Sequence, residues 1–177
     1  MMADIWPSLI SATAVAFIGL LFARAAWHKL SDFTAFTGFV ADYEMVKPEH
    51  VGAMSVALVA LECAVPVSFL VPGLHLVGVI LAIGLLTAYA TGIAINLNRG
   101  RDRIECGCGG AVQPLSWNLV RRNGILAALS ALALIGSPAA LSVAEALSAL
   151  AGGLTLFVGY LLAEQIMATT ATMRLRR

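Results

Sequence analysis

Charge is scarce in this chain. Asp, Glu, Lys and Arg make up 12% of its 177 residues, and the net charge is +1. That is about half the charged share of an ordinary soluble domain. So little charge gives no basic footprint for nucleic acid. With 60% hydrophobic residues and a mean hydropathy of +0.90, the composition is that of a polytopic membrane protein. Cysteine is rarer still. Three are too few for a disulfide framework, and an odd number leaves one unpaired or shared. His28, His50 and His75 show no ligand spacing with one another. No dinucleotide fingerprint, phosphate loop or quinone-binding signature is visible, so neither a cofactor nor a resident metal is expected. The leading segment, Met1 to Pro7, holds an acidic residue and no Lys or Arg. A cleaved signal peptide starts with a positive region, so the first apolar run is expected to stay in the mature protein.

What the chain has in quantity is apolar runs, at residues 8–27, 51–71, 74–95, 123–140 and 141–166. A bilayer takes about 20 residues of helix to cross, so these predict a bundle of about five transmembrane helices with a four-helix core. The turn signals Pro72-Gly73 and Gly136-Ser137-Pro138 make two tight hairpins, which puts every long loop on the opposite side. No Lys or Arg lies on the side of the tight turns. The other side carries Lys29, Lys47, Arg99, Arg101, Arg103, Arg121, Arg122, Arg174, Arg176 and Arg177. The positive-inside rule makes that side cytoplasmic in a bacterial inner membrane, with the N-terminus periplasmic and the C-terminus cytoplasmic. Between the first two runs, Phe33, Phe36, Phe39 and Tyr43 recur at helical spacing among Asp32, Asp42 and Glu44. That pattern predicts an amphipathic helix lying in the membrane interface or folding back against the bundle, the alternative being an ordered loop capped by Ser31 and ended near Pro48. The expected fold is one all-α membrane domain over residues 1–177.

The stretch with chemistry in it is Glu105-Cys106-Gly107-Cys108-Gly109-Gly110, the longest polar interval between apolar runs. Two thiols one residue apart close only a small ring, and a disulfide in such a ring is strained and easily reduced. A redox pair is the leading reading of Cys106 and Cys108. Arg99, Arg101 and Arg103 would favour the thiolate, and Glu105 would oppose them. A metal site, short of further ligands, and a purely structural turn are the alternatives. Glu62 falls midway along the second run, where a carboxylate must face the interior, pair or stay protonated. Arg24 is the expected partner, and proton handling beside the thiols is the functional reading. Cys63, next to it, is either a small core residue or a relay for the other two. Lys29 is expected to snorkel to the headgroup boundary.

The run Lys29-Leu30-Ser31-Asp32-Phe33 with Phe36, Tyr43, Pro48 and Glu62 resembles the DoxX-like superfamily. The later Cys106-Gly107-Cys108-Gly109-Gly110, Leu115-Ser116-Trp117 and Arg122-Asn123 narrow the resemblance to the MauE family of redox-associated membrane proteins, over about residues 17–134. The resemblance implies a multi-pass inner-membrane protein that helps to mature methylamine dehydrogenase. Its client would be the disulfide-rich small subunit of that enzyme, and its partner a thioredoxin-like protein of the MauD type. On that reading the chain is an auxiliary thiol–disulfide oxidoreductase, with membrane lipid as its surroundings. A non-enzymatic assembly or translocation scaffold, and a metal carrier using Cys63, Cys106 and Cys108, are the competing classes. The disulfides to be made would be periplasmic, whereas the charge pattern puts the cysteine pair on the cytoplasmic side.

Overall fold

The computed structural model describes residues 5–101, 104, 106, 107, 113–138 and 141–175, with the backbone alone from 170 onward. Among the described residues it is helical. Helix α1 spans Ile5–Ser31, α2 Phe33–Asp42, α3 Val51–Leu70, α4 His75–Asn98, α5 Trp117–Ala131 and α6 Val143–Leu175. Four of them, α1, α3, α4 and α6, are long and apolar enough to cross a membrane. Polar termini are tied off locally where the sequence supplies a cap. The Asp32 carboxylate accepts from the Ala35 N–H at 2.9 Å to start α2. Ser142 and Glu145 form a reciprocal capping box at the start of α6, with Glu145 accepting from the Ser142 N–H at 2.8 Å.

Helix α5 departs most from the sequence reading. It begins at Trp117, six residues ahead of the apolar run expected from residue 123, and its 15 residues lead into a 3-10 turn, Leu132–Leu134. At about 1.5 Å per residue it covers about three quarters of a hydrocarbon core of about 30 Å. Asn118, Arg121 and Arg122 occupy its first two turns, which is why hydropathy placed the start too late. The fourth run therefore contributes a shorter, polar-ended helix beside four full-length ones.

Helix α1 is central. It packs along α3 and α6 and also meets α2, α5 and the 3-10 turn, while α4 lies between α3 and α5. Phe17, Ile18, Leu21 and Phe22 of α1 join Val65, Ala82, Leu85, Leu86 and Leu126 in the main buried cluster. Close packing of α1 on α6 depends on Gly153, where an added Cβ would lie 2.6 Å from that of Ala16. Small residues at such crossings let membrane helices approach until their backbones touch. The two ends of the bundle differ. At one, the start of α1 meets the turn after α5, and the buried Ser11 hydroxyl donates to the Ala133 carbonyl at 2.7 Å. The tight α3–α4 turn adjoins the same end. Residues 32–50 and the described residues of the connection between α4 and α5 gather at the other.

Candidate functional site

The polar loop is anchored before its cysteines and after them. Cys106 N–H donates to the Gln113 carbonyl and Leu115 N–H to the Ile104 carbonyl, each at 3.1 Å, so the two arms of the loop face each other. Leu115 then inserts with Ile93 and Leu119 into a buried cluster, against which Tyr43, Ile104 and Cys106 pack. Gly107 has φ +64°, and a Cβ there would lie 2.9 Å from Phe39 of α2. Only glycine combines that backbone with that approach. Tyr43, just past α2, donates its hydroxyl to the Cys106 carbonyl at 3.1 Å. Burial pushes this hydroxyl up to about 12, against a smaller opposing pull from Arg122, so it stays a donor at any working pH. At the rim, Arg101 meets Glu44 at 2.7 Å.

Cys106 is disulfide-bonded, and Cys63 carries a free thiol. Cys108 lies outside the described residues, as does Glu105. Cys106 and Gly107 form one wall of an apolar cavity of about 190 Å³ whose other walls include Phe36, Phe39, Tyr43, Met54 and Tyr89. Cys63 does not line it.

Beyond Tyr89 is the buried carboxylate. Glu62 does not pair with Arg24, as its place in the sequence suggested. Lys29 reaches it instead, with Nζ at 2.6 Å and 2.9 Å from the two oxygens, and the Tyr89 hydroxyl donates to Oε1 at 2.7 Å. Nor does Lys29 snorkel, since its side chain is 3% exposed and that of Glu62 1%. The stem of Lys29 lies inward because the ammonium gains two carboxylate oxygens and the faces of Phe36 and Tyr89, at 5.2 Å and 5.5 Å. Such contacts replace part of the hydration that it gives up. A proton passed between Nζ and the carboxylate leaves this pair neutral overall.

Arg24 belongs to a second cluster that sequence reasoning missed. Its guanidinium meets Glu164 of α6 at 3.0 Å, and Arg122 of α5 meets the other Glu164 oxygen at 3.4 Å. Tyr160 donates to the same oxygen at 3.3 Å. Gln113, from the loop, makes a long 3.5 Å contact to the Glu164 backbone carbonyl. The signal was present, since Glu164 is a carboxylate inside the last apolar run, and the reasoning that singles out Glu62 applies to it equally. Between the clusters lies a cavity of about 30 Å³ bordered by Arg24, Glu62, Tyr89, Arg122 and Tyr160. A water needs roughly half that volume, so this space between the clusters is large enough for one. Among the described residues no group of three or more His, Cys, Asp and Glu side chains converges as a metal site would require.

Residues 7–137 match the family model described as methylamine utilisation protein MauE. The chain belongs to this family. A MauE protein of Paracoccus denitrificans is 36% identical over 176 residues, covering 96% of this chain and 94% of its own. One from Methylophilus methylotrophus is 31% identical, covering 92% and 88%. One from Methylorubrum extorquens is 34% identical, covering 90% and 88%. No solved structure matches the chain. The family match takes in α1 to α5 and the turn after them, hence Glu62, Lys29, Cys106 and Arg122, while Glu164 lies beyond it.

Proposed function

We propose that this chain is a membrane thiol–disulfide helper in methylamine utilisation, the process for which its relatives are named. It resides in the bacterial inner membrane and matures a disulfide-rich periplasmic client, the methylamine dehydrogenase small subunit, with a thioredoxin-like protein of the MauD type. Cys106 and Cys108 form the exchanging pair. A partner thiolate attacks one sulfur, the other leaves as thiolate, and the second partner thiol resolves the mixed disulfide. Two electrons and two protons have then moved from the partner to this chain, or the reverse when the chain is oxidised. Glu62 handles the protons through Tyr89, whose hydroxyl it accepts from.

The observation that carries this reading is the setting of Cys106. It is disulfide-bonded, held by its carbonyl to Tyr43, and it walls a cavity that Tyr89 of the Lys29–Glu62 cluster also lines. The free thiol of Cys63, which does not line that cavity, supports leaving Cys63 out of the exchange. Replacing Cys106 or Cys108 with Ser tests it. The expected result is loss of mature client with normal amounts of the membrane protein. Normal client maturation in both variants would sink the exchange reaction and leave an assembly scaffold. Labelling of intact spheroplasts by a membrane-impermeant maleimide, after reduction, reports whether the pair opens to the periplasm or to the cytoplasm.

A further inference from the structure

Helices α5 and α6 both pack near α1, but they do not close on each other. Between them runs a groove of about 760 Å³, floored by Phe17 of α1 and walled by Leu129 of α5 and Leu156 and Gly159 of α6. Its walls are apolar along most of the length. At the end towards the polar loop they become Asn118, Arg121 and Arg122. From Asn118 to Leu129 a helix rises about 16 Å, the length of an extended chain of about a dozen methylenes. Groove and mouth together thus have the division of a lipid, apolar over most of the length and polar at one end.

The charge at the mouth gives the sign of the headgroup. Arg24 and Arg122 share the single carboxylate of Glu164, which leaves one positive charge uncompensated in the cluster. The Arg122 side chain is 10% exposed, and its Nε is buried with no acceptor among the described residues. A buried donor with no acceptor is an unusual and unfavourable arrangement. Arg121, beside it and exposed, turns its guanidinium to Asn118 at 2.7 Å and adds a second cation to the same mouth. We infer that the α5–α6 groove is a binding site for one anionic glycerophospholipid, its phosphate on Arg121 and Arg122 and an acyl chain in the slot. The site does not depend on the thiol chemistry proposed above. Helix α5 is too short to cross the membrane by itself, and a lipid held here supplies the apolar neighbour that α6 does not.

Gly159 provides a test that leaves the ion cluster alone. An added Cβ at that position meets nothing within 4 Å, so Gly159→Leu extends into the slot from an open position and suits a helix better than glycine. The protein is reconstituted in nanodiscs of mixed phosphatidylglycerol and phosphatidylcholine, then released into the gas phase for native mass spectrometry. Wild type is expected to retain one phosphatidylglycerol and no comparable phosphatidylcholine. In Gly159→Leu, with an unchanged circular dichroism spectrum, that lipid should be lost. In Arg121→Gln, retention should fall about fivefold as one surface cation is removed. Equal retention of both lipids by wild type, or undiminished phosphatidylglycerol in Gly159→Leu, would overturn the site.

Discussion

The two buried carboxylates of this bundle are built on one plan and differ in how they are closed. Each takes a cation from α1, Lys29 for Glu62 and Arg24 for Glu164, and each accepts from a tyrosine hydroxyl, Tyr89 or Tyr160. Around Glu62 the account balances, with one ammonium, one carboxylate and both nearly inaccessible. Around Glu164 two guanidiniums meet one carboxylate, Arg24 is 27% exposed, and the loop touches the same residue through Gln113. The first is a sealed pair beside the cavity that holds Cys106. The second is open, positively biased and connected. A sealed pair can exchange a proton internally without changing the charge of the membrane interior. An open one with surplus charge attracts something anionic from outside.

The largest effect should come from unbalancing the sealed pair. Lys29→Met leaves the Glu62 carboxylate buried with only the Tyr89 hydroxyl, and breaking a buried pair in this way costs about 3–5 kcal/mol. Adding Glu62→Leu to it should restore most of that loss, since an apolar pair of similar volume carries no desolvation penalty. Reversible denaturation of the three variants in detergent micelles measures both. The double variant should nonetheless fail in client maturation, which separates the stability of the cluster from its use. If the double variant matured its client normally, proton handling by Glu62 would be excluded.

The open cluster should be more forgiving. Arg24→Gln removes a partly exposed guanidinium, and Glu164 keeps Arg122 and Tyr160. Its cost is expected at about 1 kcal/mol, the range of a partly exposed ion pair, in the same unfolding measurement. A loss as large as that of Lys29→Met would mean that the two clusters are equally closed and would remove the distinction between them.

That contrast was half legible in the sequence. A carboxylate midway along an apolar run cannot be solvated there, so Glu62 declared itself, as did the all-helical membrane class and the tight-turn end. Its partner did not. Lys29 stands at the end of an apolar run, where a lysine usually reaches water, and nothing local reports that α3 and α4 bring Glu62 and Tyr89 over it. Arg24, the nearer choice along the chain, is turned towards α6 by a contact 140 residues away in sequence. Helix α5 was misplaced for a related reason. Arg122 near its start meets Glu164 of α6 and Arg121 meets Asn118, so hydropathy counts against a helix that these contacts favour. The approach of Gly107 to Phe39 joins residues far apart in the chain, and nothing local in the sequence reports it.

Gly107 therefore tests how firmly the loop is held to the rest. Gly107→Ala places a Cβ at φ +64° and 2.9 Å from Phe39, so either the backbone or α2 must shift. The left-handed conformation alone costs a side-chain-bearing residue about 1–2 kcal/mol. In global unfolding the expected loss is of that size, and Cys106 should become more readily reduced by a mild phosphine as the loop loosens. Unchanged reduction kinetics would mean that the Phe39 contact does not control access to the disulfide.

A similarly small effect is expected at Tyr43, and it has a pH signature of its own. Tyr43→Phe deletes the hydrogen bond to the Cys106 carbonyl, worth about 1 kcal/mol. The hydroxyl is neutral in the folded state up to about 12, above its ordinary value of 10.0. A folded-state value raised in this way adds stability that is fully present below the unfolded value and is lost as pH rises through the folded one. The stability gap between wild type and Tyr43→Phe should thus be flat from neutrality to about pH 10, then narrow towards about pH 12. Other groups that titrate there do so in both proteins and cancel in the difference. A gap that closed below pH 10 would mean that Tyr43 is solvated, and that the loop carrying Cys106 is held by Gly107 on Phe39 and by Leu115 in its buried cluster alone.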